Sequence, residues 1–191
     1  MRNRAKLLEA ADQLYTRDGP DEVSLKDVAR RAGVGVGTVY RHFPTKEDLL
    51  TALYAERVEV AVRKAEEAAS DPDGWRGLVR FLDDFMAAQA HSCGLRGLMG
   101  LPEYSTPMVD EARETIAPLV KEMVARAQAQ DTLRPDFDAD DVTLIQVALT
   151  AVMDATKDMS PDVYRNQMAL ILDGMRAGTP SRPVHDASAA D

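Results

Sequence analysis

The stretch GVGVGTVYRHFPTKEDLL, residues 33–50, sets Gly33, Gly35 and Gly37 beside Thr38, Tyr40, Arg41, His42 and Lys46. Those polar residues are of the types that hold phosphate oxygens, and glycines next to them let a backbone come close to a ligand. Two chemistries use such a surface: a nucleotide cradled by a glycine-rich loop, or the phosphate backbone of a nucleic acid. The nucleotide reading fails on pattern. A dinucleotide fingerprint, G-x-G-x-x-G, would need its third glycine at Thr38, and the G-K-[ST] of a P-loop does not follow. The dinucleotide turn must also follow a β-strand, whereas SLKDVARRA, just before Gly33, carries helical spacing.

The elements that must position these residues are helices. Leu7, Leu8, Ala11, Leu14 and Tyr15 recur at three and four along a first helix, which Gly19-Pro20 should stop. Ser24 with Asp27 three residues on reads as a capping box, and Leu25, Val28, Ala29 and Ala32 form the inner face of a short second helix ended by Gly33. The next apolar set, Val34, Val39 and Phe43, begins so soon that the two helices must meet through a tight turn with Gly33 left-handed, a helix-turn-helix. In that motif the later helix lies in the major groove and offers its N-terminal residues to base edges. Gly35 and Gly37 then permit close approach, Val36 and Thr38 can touch thymine methyl groups, and the Thr38 hydroxyl, Tyr40, His42 and Lys46 suit phosphate oxygens. Thr45 with Asp48 marks another N-cap, so Lys46 falls in the first turn of a fourth helix, where free N–H groups and the dipole favour an anion. Tyr40 lies outside the inner face set by Val39 and Phe43. His42, at the end of the third helix, suits either a cap or a DNA contact. Arg30 and Arg31 read as a solvated face, because their helix is the one that crosses the backbone.

The run from Ala5 through Leu53, with A-x-x-L-Y-x-x-x-G, S-x-x-D-V-A-x-x-A-G-V and G-T-V-Y-R-H-F-P-T-K-E-D-L-L, resembles the DNA-binding domain of the TetR (tetracycline repressor) family of bacterial regulators. The resemblance is close over roughly the first quarter of the chain and extends to the rest only in layout. It implies an all-α protein with an N-terminal three-helix DNA-binding domain, residues 1–48, and a larger helical domain for ligand binding and dimerisation, residues 49–178. Matched position by position, it puts Gly35, Val36, Gly37, Thr38 and Arg41 toward bases and Thr38, Tyr40, His42 and Lys46 toward phosphates. Since Gly35 and Gly37 carry no side chains, base reading then depends on Arg41, Thr38 and DNA shape.

Charge is compatible with that partner. The whole chain carries −9, yet residues 1–48 hold nine bases against eight acids, so the acidity belongs to the remainder at −10. Length and a 45% hydrophobic content suffice for a full core in one larger domain or two small ones. A single cysteine, Cys93, rules out an internal disulfide framework. A polar, basic N-terminus and the lack of any apolar run near the roughly 20 residues of a membrane span make the cytoplasm the expected location.

Beyond Thr45 the pattern is helical throughout. From 46 to about 69 neither Gly nor Pro interrupts a fourth helix about 36 Å long, long enough to act as a lever between the domains. Trp75, Leu78, Leu82, Phe85, Met86 and Gln89 mark a fifth helix, and residues 92–107 are Gly-rich and broken. From 108 to 130 a helix resumes, with a start or a kink expected at Pro118. Asp138 should cap DVTLIQVALTAVMDAT, and Ser160-Pro161 should start a last helix that ends before Gly178. The first is apolar around most of its circumference and the last bears Val163, Met168, Ile171, Leu172 and Met175, so Leu149, Val152, Met153, Met168, Ile171, Leu172 and Met175 are candidates for a homodimer interface, and the resemblance implies a four-helix bundle there. Residues 179–191 read as a disordered tail.

A small-molecule pocket in the second domain would draw on Phe85, Met86, Gln89, His91, Cys93, Met99, Tyr104 and Met123, since Met with aromatics suits an adaptable apolar site; ordinary core packing is the alternative for each. His91 and Cys93 fall short of a zinc or copper ligand set, so neither metal nor cofactor is expected. With no G-x-S-x-G elbow and no base beside Cys93, the chain is not expected to be an enzyme. The reading is a ligand-responsive repressor that binds a palindromic double-stranded DNA operator as a homodimer and is released by a small-molecule effector. A DNA-binding regulator without an effector, whose C-terminal domain recruits a protein partner, stays open.

Overall fold

Ser24 has extended backbone and accepts a hydrogen bond from the Asp27 N–H, while the Asp27 carboxylate accepts one from the Ser24 N–H at 3.0 Å. Hydrogen bonds from Ser24, with Arg30 nearby, hold the Asp27 carboxyl below the usual carboxylate range. The same reciprocal arrangement starts helices after Thr45 and Asp138, as the spacing predicts. The computed structural model describes residues 2–90, 106–156 and 163–178, and its elements are α1 (Arg2–Glu22), α2 (Leu25–Ala32), α3 (Val36–His42), α4 (Lys46–Ala69), α5 (Gly74–Ala90), α6 (Pro107–Ala129), α7 (Ala139–Ala155) and α8 (Val163–Met175). The fold is all-α; among the described residues the only sheet-like pairing is a single bridge between Leu133 and Arg176. None of the described helices is long and apolar enough to cross a membrane.

Helix ends follow local chemistry. Gly19 takes φ 82°, ψ 163° and breaks α1, and one further turn follows before Val23. Gly33 is left-handed at φ 67°, ψ 34°, and its N–H closes α2 on the carbonyls of Ala29 and Arg30, giving the tight turn into α3. At the far end of α4, the Arg126 guanidinium donates to the carbonyl oxygens of Ala69 and Asp71, and the Gln130 side chain bridges Pro72 O and Gly74 N–H. The α4–α5 turn is thereby fastened to the last turns of α6. Within it Asp71 takes a fork of two hydrogen bonds from Arg76, which holds its carboxyl down at about 2.

The helix expected over 108–130 is present, and of the two alternatives at Pro118 the start is excluded: the helix begins at Pro107, with Thr106 accepting the Val109 N–H as N-cap, and runs through Pro118. Proline at the first helical position loses no hydrogen bond, so the Thr106-Pro107 pair is a start signal stronger than the interior proline. The expected start at Ser160-Pro161 and the tail 179–191 lie outside the described residues.

Two cores divide the chain. One gathers Leu7, Ala11 and Tyr15 from α1, Val28 from α2, Val39 from α3 and Leu49, Leu50, Tyr54 and Val58 from α4, joined by Val109 and Ala112 of α6. The other lies between the second half of α4 and α5–α8, with Ala65, Leu78, Leu82, Met123, Leu149 and Tyr164 buried in it. Val62 touches both. The expected domain boundary after residue 48 therefore falls in the first turn of α4, a helix that serves both cores.

Candidate nucleic-acid interface and small-molecule cavities

In α3 the inner face is Val39, fully buried, with Phe43 at the C-cap 2% exposed, and everything around it turns outward. Gly35, Val36, Gly37, Tyr40, Arg41 and His42 are exposed, and Thr38 and Lys46 are half-buried beside them. The eight residues singled out from the sequence thus stand exposed or half-buried on α3, its N-cap Gly35 and the first turn of α4. Neither glycine is required by the chain itself. A methyl group built on Gly37 meets nothing within 4 Å, one on Gly35 meets only the Thr38 hydroxyl at 4.0 Å, and Gly35 has an ordinary φ of −67°. Any demand for a bare backbone here comes from outside the protein.

The two arginines of α2 keep to the supporting role. Arg30 pairs with Asp27, and Arg31 donates to the Gln13 side chain of α1 at 2.7 Å, which fastens α2 to α1. Arg4 was missed by sequence reasoning. Its guanidinium carbon stands 5.5 Å from the Phe43 ring centre, so α1 adds an exposed cation next to His42, a contact across 39 positions that no local pattern signals.

Of the residues named for a ligand pocket, Phe85 and Gln89, with Phe81, line two cavities that adjoin along this stripe of α5. One, of about 300 Å³, lies between α4 and α5; the other, of about 420 Å³, opens between α5, α6 and α7. Gln89 is buried, and its Oε1 accepts from the Thr150 hydroxyl at 3.3 Å. Met86 and Met123 fill the core and line neither cavity, the packing alternative given for each. His91, Cys93, Met99 and Tyr104 lie outside the described residues. The polar residues Arg57, Lys64 and Asp84 of the first cavity and Arg113, Gln146 and Thr150 of the second were not expected, because only tertiary packing brings them to a shared space.

The residues named for a dimer interface are redistributed. Leu149, Met153, Met168 and Met175 belong to this chain's own core, and Val152, Ile171 and Leu172 lie partly buried against it. The outward face of α7 and α8 is made by Leu144, 66% exposed, Val147 and Leu170, 67% exposed, with Ala148 and Ala151 between them. An all-round apolar helix does not announce which side its own domain covers.

Residues 7–53 match the family model described as bacterial regulatory proteins, tetR family, and residues 71–177 match that of the transcriptional regulator SbtR-like C-terminal domain. An HTH-type transcriptional regulator of Staphylococcus aureus (strain USA300) is 29% identical over 69 residues, 36% of this chain, and the match spans 37% of that protein's length. Among solved structures, the TetR transcription regulatory protein from Mycobacterium vanbaalenii is 30% identical with a TM-score of 0.51, over 92% of this chain and 96% of that one. A TetR transcriptional regulator from Streptomyces coelicolor is 26% identical with a TM-score of 0.54, over 92% and 99%. The transcriptional regulator FadR from Bacillus subtilis, solved in complex with stearoyl-CoA, shares the fold at 15% identity with a TM-score of 0.64, over 90% and 98%.

Proposed function

Because the chain belongs to the TetR family of bacterial regulatory proteins, we propose that it is a transcriptional repressor that holds a palindromic operator as a homodimer and leaves it when a small molecule enters the larger helical unit. The observation that carries this reading is the course of α4, which begins at Lys46 beside the exposed face of α3 and continues unbroken into the wall of the α4–α5 cavity. A ligand that shifts α4 moves the recognition helix. Half-sites repeat about 34–36 Å apart, so a change of a few ångströms in the separation of two heads breaks their simultaneous docking. The start of α6 supports the same coupling from a second side, since Val109 and Ala112 complete the core beneath α1 and α4.

In this reading Val36, Thr38 and Arg41, with the close approach allowed by Gly35 and Gly37, read bases, and Thr38, Tyr40, His42 and Lys46 hold phosphates. Lys46→Ala should weaken binding to every DNA sequence about equally and lower the log–log salt slope by roughly one for each phosphate it no longer neutralises. Arg41→Ala should instead change the motif recovered in a binding-site selection. Recovery of one and the same motif for wild type and Arg41→Ala, with an unchanged salt slope for Lys46→Ala, would overturn the assignment.

A further inference from the structure

The α4–α5 cavity has a lopsided charge. Toward it α4 turns Arg57, Val58, Ala61, Lys64 and Ala65, one stripe at helical spacing, and α5 turns Phe81, Asp84, Phe85, Ala88 and Gln89, a second such stripe. The Lys64–Asp84 and Arg80–Glu67 ion pairs join the two helices with positions rising on one as they fall on the other, so the helices run antiparallel and Arg57 stands at the Gln89 end. Lys64 is neutralised within the cavity: its Nζ lies 2.6 Å from Asp84 Oδ1, and the Asp84 side chain is only 25% exposed. Arg57 has its counter-charge elsewhere. Its Nη2 reaches Asp12 Oδ1 on α1 at 3.2 Å, between side chains 43% and 42% exposed, and its guanidinium carbon lies 5.2 Å from the Tyr54 ring centre. The cavity therefore holds one cation more than it holds anions, and that cation ties the cavity wall to the DNA-reading unit.

Resting on the effector-released reading above, we propose that this cavity takes a small amphipathic acid, an apolar body with one carboxylate, and that the carboxylate draws Arg57 away from Asp12 and so loosens α1 from α4. The lining fits the two halves of such a ligand: Val58, Ala61, Phe81, Phe85 and Ala88 offer an apolar slot along about 12 Å of α4, and about 300 Å³ lies at the small end of ligand cavities. The competition favours the ligand. An ion pair open to water contributes little, whereas a carboxylate that reaches Arg57 from an apolar slot forms a charge-assisted hydrogen bond in a lower dielectric. The Tyr54 ring gives the guanidinium a face against which to turn.

The test uses the full chain, an operator fragment obtained by binding-site selection, and decanoate and phenylbutyrate as probes, each against its neutral alcohol. Calorimetry should find each acid binding about tenfold tighter than its alcohol, and anisotropy should show that the acid releases the operator. Arg57→Gln should reduce acid binding to about the level of the alcohol, abolishing the preference for acid over alcohol. Asp12→Asn, which removes the competitor without touching the cavity, should tighten acid binding several-fold and weaken operator binding in the absence of any ligand. Acids that bind no tighter than their alcohols, an Arg57→Gln variant that binds them like wild type, or an Asp12→Asn variant identical to wild type in both assays would each overturn the proposal. If a neutral or cationic compound releases the operator while the acids do not, this proposal fails and the effector-released reading stands. If nothing in a broad thermal-shift library binds or releases, that reading fails with it.

Discussion

Gly37 sits inside a helix, where glycine costs about 1 kcal/mol relative to alanine, and a methyl group there would meet nothing within 4 Å. The chain would be more stable with alanine at this position. Gly37→Ala is therefore expected to raise stability in urea by up to about 1 kcal/mol and, by holding the backbone off the groove floor, to weaken operator binding. Denaturation and gel shift measured on the same preparation check both halves, and unchanged operator affinity would remove the close-approach account of Gly35 and Gly37. A similar separation of surface from support runs through the neighbouring positions. Val36 and Tyr40 are 41% and 46% exposed, large apolar surface that their own domain leaves open, while Val39 between them is buried.

At the scale of elements, the crossing of α4, α5 and α6 depends on two glycines of a different kind. A Cβ on Gly77 would stand 2.6 Å from the Ala68 carbonyl oxygen, and one on Gly74 would collide with the backbone of Arg126 and Ala127. Gly77→Ala should thus lose about 1–3 kcal/mol, as overpacking against backbone does, whereas Gly174→Ala in α8, with nothing within 4 Å, should be neutral or stabilising. Equal urea midpoints for the two variants would contradict this packing. Much of the element layout was legible beforehand because its signals are local: Ser24 with Asp27, Thr45 with Asp48, Asp138 as a cap, Gly33 as a stop, and α4 as an uninterrupted run to Ala69. The exposed set proposed to face DNA could be named for the same reason, since it lies within twelve consecutive positions, Gly35 to Lys46, around local signals. What the periodicity could not disclose was orientation and long-range pairing. Leu149 and Leu144 are both apolar on one helix, yet one is in the core and the other two-thirds exposed, and Asp12 meets Arg57 across 45 positions.

At the scale of the molecule, the five large hydrophobics most exposed among the described residues fall into two groups, Val36 and Tyr40 on α3 and Leu144, Val147 and Leu170 on α7 and α8. The second group is the surface on which our dimer reading now rests. Leu144→Glu or Leu170→Glu should yield a folded monomer by light scattering, with operator binding weakened because two heads are no longer joined, whereas Leu149→Glu should unfold the chain rather than split a dimer. A wild type that is monomeric at micromolar concentration would end that reading. A different consequence follows from the way α4 and the start of α6 lend Leu49, Leu50, Tyr54, Val58, Val109 and Ala112 to the N-terminal core. A chimaera that transplants the first 48 residues onto another regulator carries the whole proposed DNA face but not all that supports it from beneath. The portable unit is larger and discontinuous: the head, the first half of α4 and the opening turns of α6 must travel together, so a change of operator is simpler to engineer by rewriting the face of α3 in place than by exchanging heads.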